Sequence, residues 1–122
     1  MNNKKWYNET HSVHKGWGSE FWAVNKPEYC GKVLVFGKGK KCSFHYHLLK
    51  DEVFLLHTGC LAVKLSEQDD LDLAETIIMR PGDTVHVYPG LRHQMIALEH
   101  SELFEFSTQH FDDDSYRIVR GD

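Results

Sequence analysis

His45, His47 and Glu52 fall within eight positions in the stretch "CSFHYHLLKDEVFL", and each offers a donor atom that divalent transition metals accept. The residue types allow two readings: solvated polar side chains on a strand, or ligands aimed at one ion. Alternation along an extended chain puts His45 and His47 on one face and Tyr46 on the other. A turn over 48–51 then returns the chain, so that Glu52 opens the next strand opposite them. One hairpin can therefore gather three ligands, and a fourth has to come from elsewhere.

With nine histidines in 122 residues, a His-x-His pair arises by chance roughly 0.65 times, so the pair alone decides nothing. Its surroundings do. Gly39 lies six before His45, Glu52 five after His47 and Gly59 seven after Glu52; the chance expectation of that fuller spacing is roughly 5 in 10,000.

The elements that must position these residues are strands. Short runs rich in Val, Ile, Leu and Phe alternate with Gly, Pro, Asp and Lys at intervals of roughly 8–12 residues, the pattern of an antiparallel sandwich or barrel. Strands are expected over 20–25, 31–36, 41–48, 52–57 and 60–65, and again over 73–79, 84–88, 92–98, 102–107 and 115–119. The turns "GKGK", "HTG", "RPGD" and "YPG" separate them. The reading is one all-β domain over 20–122, preceded by an arm over 1–19 that is either mobile or exchanged with a partner. Phe36, Phe44, Phe54, Phe104 and Phe106 are expected in the core, and Trp6, Trp17 and Trp22 suggest that the arm packs against something.

Composition bounds the function. At 41% hydrophobic residues the chain supplies a core without a structural metal or disulfides. Cys30, Cys42 and Cys60 make no CxxC pair and are expected as reduced thiols of a cytoplasmic protein. No apolar run approaches the ~20 residues of a membrane span, and the first residues lack a signal peptide's apolar stretch. A net charge of −4 gives no footprint for nucleic acid.

The arrangement Gly39-x5-His45-x-His47-x4-Glu52-x6-Gly59 resembles the first motif of the cupin superfamily, and "PGDTVHVYPGLRHQMIA" resembles the second, with Gly82, Gly90 and His93 in place. Tyr88 stands where the family usually has proline and Ala97 where it often has asparagine. The resemblance covers roughly residues 31–107. It implies a double-stranded β-helix (a jelly-roll barrel) and makes His93 the fourth ligand. Three neutral imidazoles and one carboxylate suit Mn, Fe, Co, Ni or Zn and leave coordination positions open, as a catalytic metal requires. The alternative is a wet barrel interior lined by four polar residues with no ion.

A second, weaker resemblance is to small cupins of the type II mannose-6-phosphate isomerase kind. It runs through "GWGSEFW", "CSFHYHLLKDEVF" and "LFEFSTQHFDDDSYRIV", with Gly16 in place of a proline and Val53 in place of a histidine. It implies a metal-dependent isomerase or epimerase acting on a sugar or sugar phosphate, with the metal polarising a carbonyl and a carboxylate or histidine moving a proton. Glu105 is the candidate base, with a solvent-facing strand position as the alternative. Arg117, matching the family's tail arginine, would hold a phosphate or hydroxyl, or pair with one of Asp112–Asp114, which otherwise read as a solvated loop. His86 faces either lumen or solvent, and Lys50 reads as solvated in its turn or as reaching the cavity mouth. An Fe(II)-dependent dioxygenase and a non-catalytic small-molecule-binding cupin are the rival functions. A homodimer is the expected assembly.

Overall fold

The computed structural model describes residues 5–122. Eleven strands are present among them: β1 (His11–Lys15), β2 (Gly18–Lys26), β3 (Tyr29–Phe36), β4 (Phe44–Tyr46), β5 (Glu52–Thr58), β6 (Leu61–Ser66), β7 (Glu75–Met79), β8 (Thr84–Val87), β9 (Arg92–Ala97), β10 (Ser101–Ser107) and β11 (Tyr116–Val119). They form two antiparallel sheets, ordered β1-β2-β3-β10-β5-β8 and β11-β4-β9-β6-β7. A single 3-10 turn, Leu71–Leu73, starts where the Asp70 carboxylate accepts the Asp72 N–H at 3.0 Å.

All ten expected strands are present, and β1 is an addition. The expected arm over 1–19 ends inside β2, and its residues 1–4 lie outside the described residues. His11–Lys15 pairs with β2 in register His11↔Trp22 to Lys15↔Gly18, so this part of the arm is the edge strand of the first sheet. Trp17 is buried and stacks on Phe36 of its own chain at 4.3 Å between ring centroids. The strand expected over 41–48 shrinks to three residues, because Lys41 makes only an isolated bridge to Ile96 and the chain after Tyr46 bends into its turn.

Alternation sorts each strand of the first sheet into two faces. Inward, β3 presents Cys30, Lys32, Leu34 and Phe36, all buried. Leu34, Leu103 and Leu56 stand side by side across β3, β10 and β5, and they meet Leu61, Val63, Met95 and Ala97 of the second sheet in one apolar cluster. Fully burying side chains of this size stabilises by about 1.5–3 kcal/mol each. The neighbouring inward row is chemically different: Trp22, Lys32, Glu105 and Phe54 lie in register across β2, β3, β10 and β5. The interior is thus apolar at one end and polar at the other.

Outward, the same sheet departs from the usual polar face. Phe21, Val33, Phe104 and Leu55 are register partners across four adjacent strands, and Phe106 pairs with Val53 beside them. Phe106 is 54% exposed. The expectation that Phe104 and Phe106 belong to the core is therefore corrected: Leu103 and Glu105 take the inward positions of β10, and strand alternation turns both phenylalanines outward. Phe36, Phe44 and Phe54 are buried as expected.

Two motif glycines hold tight turns. Gly59 sits at φ +98°, and a Cβ there would lie 2.4 Å from the His100 carbonyl oxygen. Gly90, at φ +89°, donates its N–H to the His47 carbonyl at 2.7 Å, which ties the second motif to the first.

Candidate metal centre

Strand β4 carries His45 and β9 carries His93 directly opposite it in register; His47 follows β4, and Glu52 opens β5 in the facing sheet. The ligand nitrogens of His45, His47 and His93 all lie within 4.8 Å of one another. The Glu52 Oε2 atom stands 3.7 Å from His47 Nε2 and 3.6 Å from His93 Nε2. Ligands sharing one ion at bond lengths near 2.1 Å sit about 3–3.4 Å apart, so small side-chain rotations close the set. The fold thus clusters the three histidines and places Glu52 Oε2 beside two of them from the facing sheet.

The imidazoles are oriented for the task. The Nδ1 atoms face backbone carbonyls: His45 that of Ser43 at 2.9 Å, His47 that of Asp114 at 2.5 Å and His93 that of Leu91 at 3.0 Å. A carbonyl only accepts, so each Nδ1 carries the proton and each Nε2 is left with a free lone pair. Burial pushes the pKa of all three rings down, His93 to about 4 and His45 well below the ordinary imidazole value with help from His93 and His47. The rings are therefore neutral at pH 7, the form that binds metal.

Glu52 supplies the test of fit. Its Oε2 is buried and has no hydrogen-bond partner among the described residues, yet it faces two nitrogen lone pairs. Were Glu52 ionised with no ion present, acceptor would face acceptors and repel, and a buried polar atom left unsatisfied costs about 1–3 kcal/mol. A cation at the point of convergence satisfies all of them, so the residues present fit a divalent metal. Burial, then the charge of Glu105, raises the Glu52 pKa to about 8.

Lys50 is the residue whose place the sequence left open, and the structure puts it inside. It is 3% exposed, and its Nζ donates to Glu105 Oε2 at 2.6 Å and lies 3.2 Å from Glu52 Oε1 and 3.1 Å from His110 Nδ1. Burial opposes the ammonium charge, but Glu105 and Glu52 outweigh it and hold the pKa above its ordinary value. The cause of this inward turn is Asp114, itself buried. Its carboxylate accepts the backbone N–H groups of Leu48 at 2.9 Å, Leu49 at 3.2 Å and Lys50 at 3.1 Å. That curl throws Leu48 and Leu49 outward, 55% and 67% exposed, and folds Lys50 in. The reading of Asp112–Asp114 as a solvated loop holds for Asp112 and Asp113 and is corrected for Asp114.

Glu105 faces the lumen, 4% exposed, and Ser107 Oγ donates to its Oε2 at 2.9 Å. Burial works against its charge, but Lys50 and Lys32 outweigh it and hold the carboxyl below its ordinary pKa. Arg117 is the register partner of His45 on β11, exposed at the cavity rim, and makes no ion pair with Asp112, Asp113 or Asp114 among the described residues. His86 points to solvent and pairs with Asp51 at 2.6 Å. These groups surround a cavity of about 690 Å³, lined by the four candidate metal donors, Lys32, Lys50 and Glu105 and by residues of the β1–β2 hairpin and β11.

No protein-family model and no curated protein matches the chain. Solved structures do. The capsular polysaccharide assembling protein CapF from Staphylococcus aureus superposes with a TM-score of 0.78 at 18% identity, over 91% of this chain and 34% of CapF. KdgF from Halomonas sp. gives 0.67 at 21% identity, over 78% of this chain and 81% of that one. Oxalate decarboxylase from Bacillus subtilis gives 0.77 at 16% identity, over 88% and 30%. The chain spans about a third of the length of CapF and of the decarboxylase. These likenesses establish the fold alone, an all-β barrel of the cupin type, and the three-histidine cluster could hold a metal ion.

Proposed function

We propose that the protein is a divalent-metal-dependent isomerase or epimerase of a sugar or sugar phosphate. The observation that carries this reading is a buried, ionised carboxylate, Glu105, joined through one ammonium group to the ligand Glu52 on the wall of an open cavity. His45, His47, Glu52 and His93 would hold the ion. When bound, the ion supplies Lewis-acid polarisation of a carbonyl. Glu105 does the proton work. Lys50 and Ser107 both engage its Oε2, so Oε1 is the oxygen offered to the cavity. There it would take the proton from the carbon beside the carbonyl and return it to the former carbonyl carbon, while the hydroxyl proton passes to the former carbonyl oxygen. Lys50 keeps the carboxylate charged and aimed. Arg117, the register partner of His45 at the cavity rim, would hold a phosphate or hydroxyl of the substrate.

The same reading makes the protein a homodimer whose second copy covers the Phe21–Phe104–Phe106 face, because a contiguous apolar sheet face of this kind marks an interaction surface. It places the protein in the cytoplasm, which the three free cysteines support; no helix among the described residues is long and apolar enough to cross a membrane.

The test is deuterium uptake from D2O into a panel of hexoses, pentoses and their phosphates, followed by NMR. Exchange that a chelator abolishes is the expected result. A silent panel with retained sugar binding would leave a binding module, and oxygen consumption with Fe(II) would indicate a dioxygenase.

A further inference from the structure

Lys32 is a buried cation without a hydrogen-bonded partner among the described residues; Glu105 and Glu20 act on its charge only across a distance. Its side chain is 3% exposed, and the nearest carboxylate oxygen, Glu20 Oε1, is 3.7 Å away, beyond hydrogen-bond length. That oxygen already accepts the Trp22 indole N–H at 2.9 Å. The ammonium instead lies over the Trp22 ring at 3.9 Å from its centroid. None of its N–H groups has an acceptor at hydrogen-bond distance among the described residues, and the group borders the cavity. Burying a charge on these terms is costly unless something completes it. Lys50 differs, since two carboxylates and a histidine already surround it.

Lys32 pairs with Glu105 in register, and Glu105 pairs with Phe54 on β5, the strand that Glu52 opens. At roughly 4.8 Å between strands, Lys32 stands one strand from the proposed base and about 10 Å from the strand bearing the metal ligand. That is the reach of a five- or six-carbon molecule with one end at the ion.

We infer that Lys32, braced by Trp22 and Glu20, is the docking group for an anionic substituent, a phosphate ester or a carboxylate, on the end of the substrate away from the metal. The inference rests on the proposed function only for where the reacting end lies. It restricts the substrate class to small acids and makes Lys32 a specificity residue, separate from the exposed Arg117 at the rim.

The test uses metal-loaded protein and the part of its tryptophan emission that Trp22→Phe removes. Inorganic phosphate is titrated in one arm and acetate in another. A saturable change with phosphate assigns a phosphate ester, and one with acetate assigns a carboxylate. Lys32→Gln should weaken the response at least tenfold with metal content unchanged, and Lys32→Arg should restore it. No saturable response to either anion overturns the inference, as does an undiminished response in Lys32→Gln or a response lost in Arg117→Gln instead. Should Lys32→Gln fail to fold, the 15N resonance of the Lys32 ammonium in wild-type protein, assigned through Lys32→Arg, decides the matter. Movement on adding the anion supports the site, and a fixed resonance overturns it. Turnover plays no part. A silent deuterium-exchange panel with Lys32-dependent anion binding removes the isomerase reading alone, and exchange without such binding removes this one.

Discussion

Replacing Asp114 with alanine tests whether the metal hairpin is built from the far end of the chain. The side chain is 4% exposed and accepts three successive backbone N–H groups, at 2.9 Å from Leu48, 3.2 Å from Leu49 and 3.1 Å from Lys50. Hydrogen bonds to a charged group are worth about 1.5–3 kcal/mol each. Leu48 and Leu49 are largely exposed, so water replaces part of two of them, while Lys50 is buried. The expected loss of stability is therefore about 2–4 kcal/mol, below the simple sum of three such bonds. A second effect follows from the backbone of the same residue, whose carbonyl holds His47 Nδ1 at 2.5 Å. Once the turn loosens, the ring loses its fixed tautomer and direction, a change that lowers metal affinity about 10–100-fold. Urea denaturation of the metal-free protein reads the first effect and chelator competition reads the second. Asp114→Asn keeps one acceptor oxygen and should fall between the alanine variant and wild type. An unchanged urea midpoint together with unchanged metal affinity would refute the reasoning.

Four further outcomes are expected. His93→Ala should purify with its metal content largely lost but its far-UV circular dichroism intact, since His93 is not itself a member of the apolar cluster; full metal occupancy would remove His93 from the site. Metal affinity should fall about tenfold per pH unit below pH 8, because the ion must displace the proton that Glu52, with its pKa raised to about 8, still carries. Above pH 8 affinity should level off, the imidazoles staying neutral throughout since burial has lowered their pKa, and a slope that survives in Glu52→Gln would contradict the assignment. Glu105→Gln should retain metal and lose deuterium exchange by about 100-fold or more, whereas exchange at the wild-type rate would free Glu105 from any role as base. Phe106→Asp, at a position 54% exposed on the outer sheet face, should convert a dimer to a monomer in light scattering, and an unaltered mass would move the interface elsewhere.

Much of the metal hairpin was legible because its signals are local. Strand alternation alone aligns His45 with His47, and the spacing to Glu52 and the motif glycines fixes the turn. His93 was reachable only through the family resemblance, since its partnership with His45 crosses between β4 and β9, 48 residues apart in number. The direction of Glu105 was not legible: "LFEFS" alternates apolar and charged positions, and a strand buried on one face normally turns the apolar ones inward. Here Leu103 and Glu105 go in while Phe104 and Phe106 go out, because the interior is polar at that end and the outer face is unusually apolar. Lys50 was left between two readings, and Asp114 was misplaced, for a related reason. Nothing near "LLKD" announces that an aspartate 64 positions later will cap the turn, so the default of a solvated lysine and a solvated acidic loop stands until the tertiary contact is seen.

The polar end of the barrel also explains why a lysine belongs where a solvated turn was expected. Glu52 and Glu105 approach one ammonium from two strands, and two buried carboxylates so placed do not both ionise on a single positive charge. Glu105, supported by Lys32 as well as Lys50, keeps its charge, and Glu52 takes the proton. On the proposed function, Glu52 holding a divalent ion would lose that proton, while Glu105, the proposed base, would be ionised with or without the metal because Lys50 and Lys32 face it. Yet Lys50 reaches the lumen only because Asp114 curls its turn, and Asp114 immediately precedes the segment carrying Arg117. Ligand orientation, the charge on the base and the cavity rim are thereby joined in one structural unit. A lesion in the segment over 111–119 should consequently appear first as a loss of metal and of base ionisation, before the apolar cluster gives way.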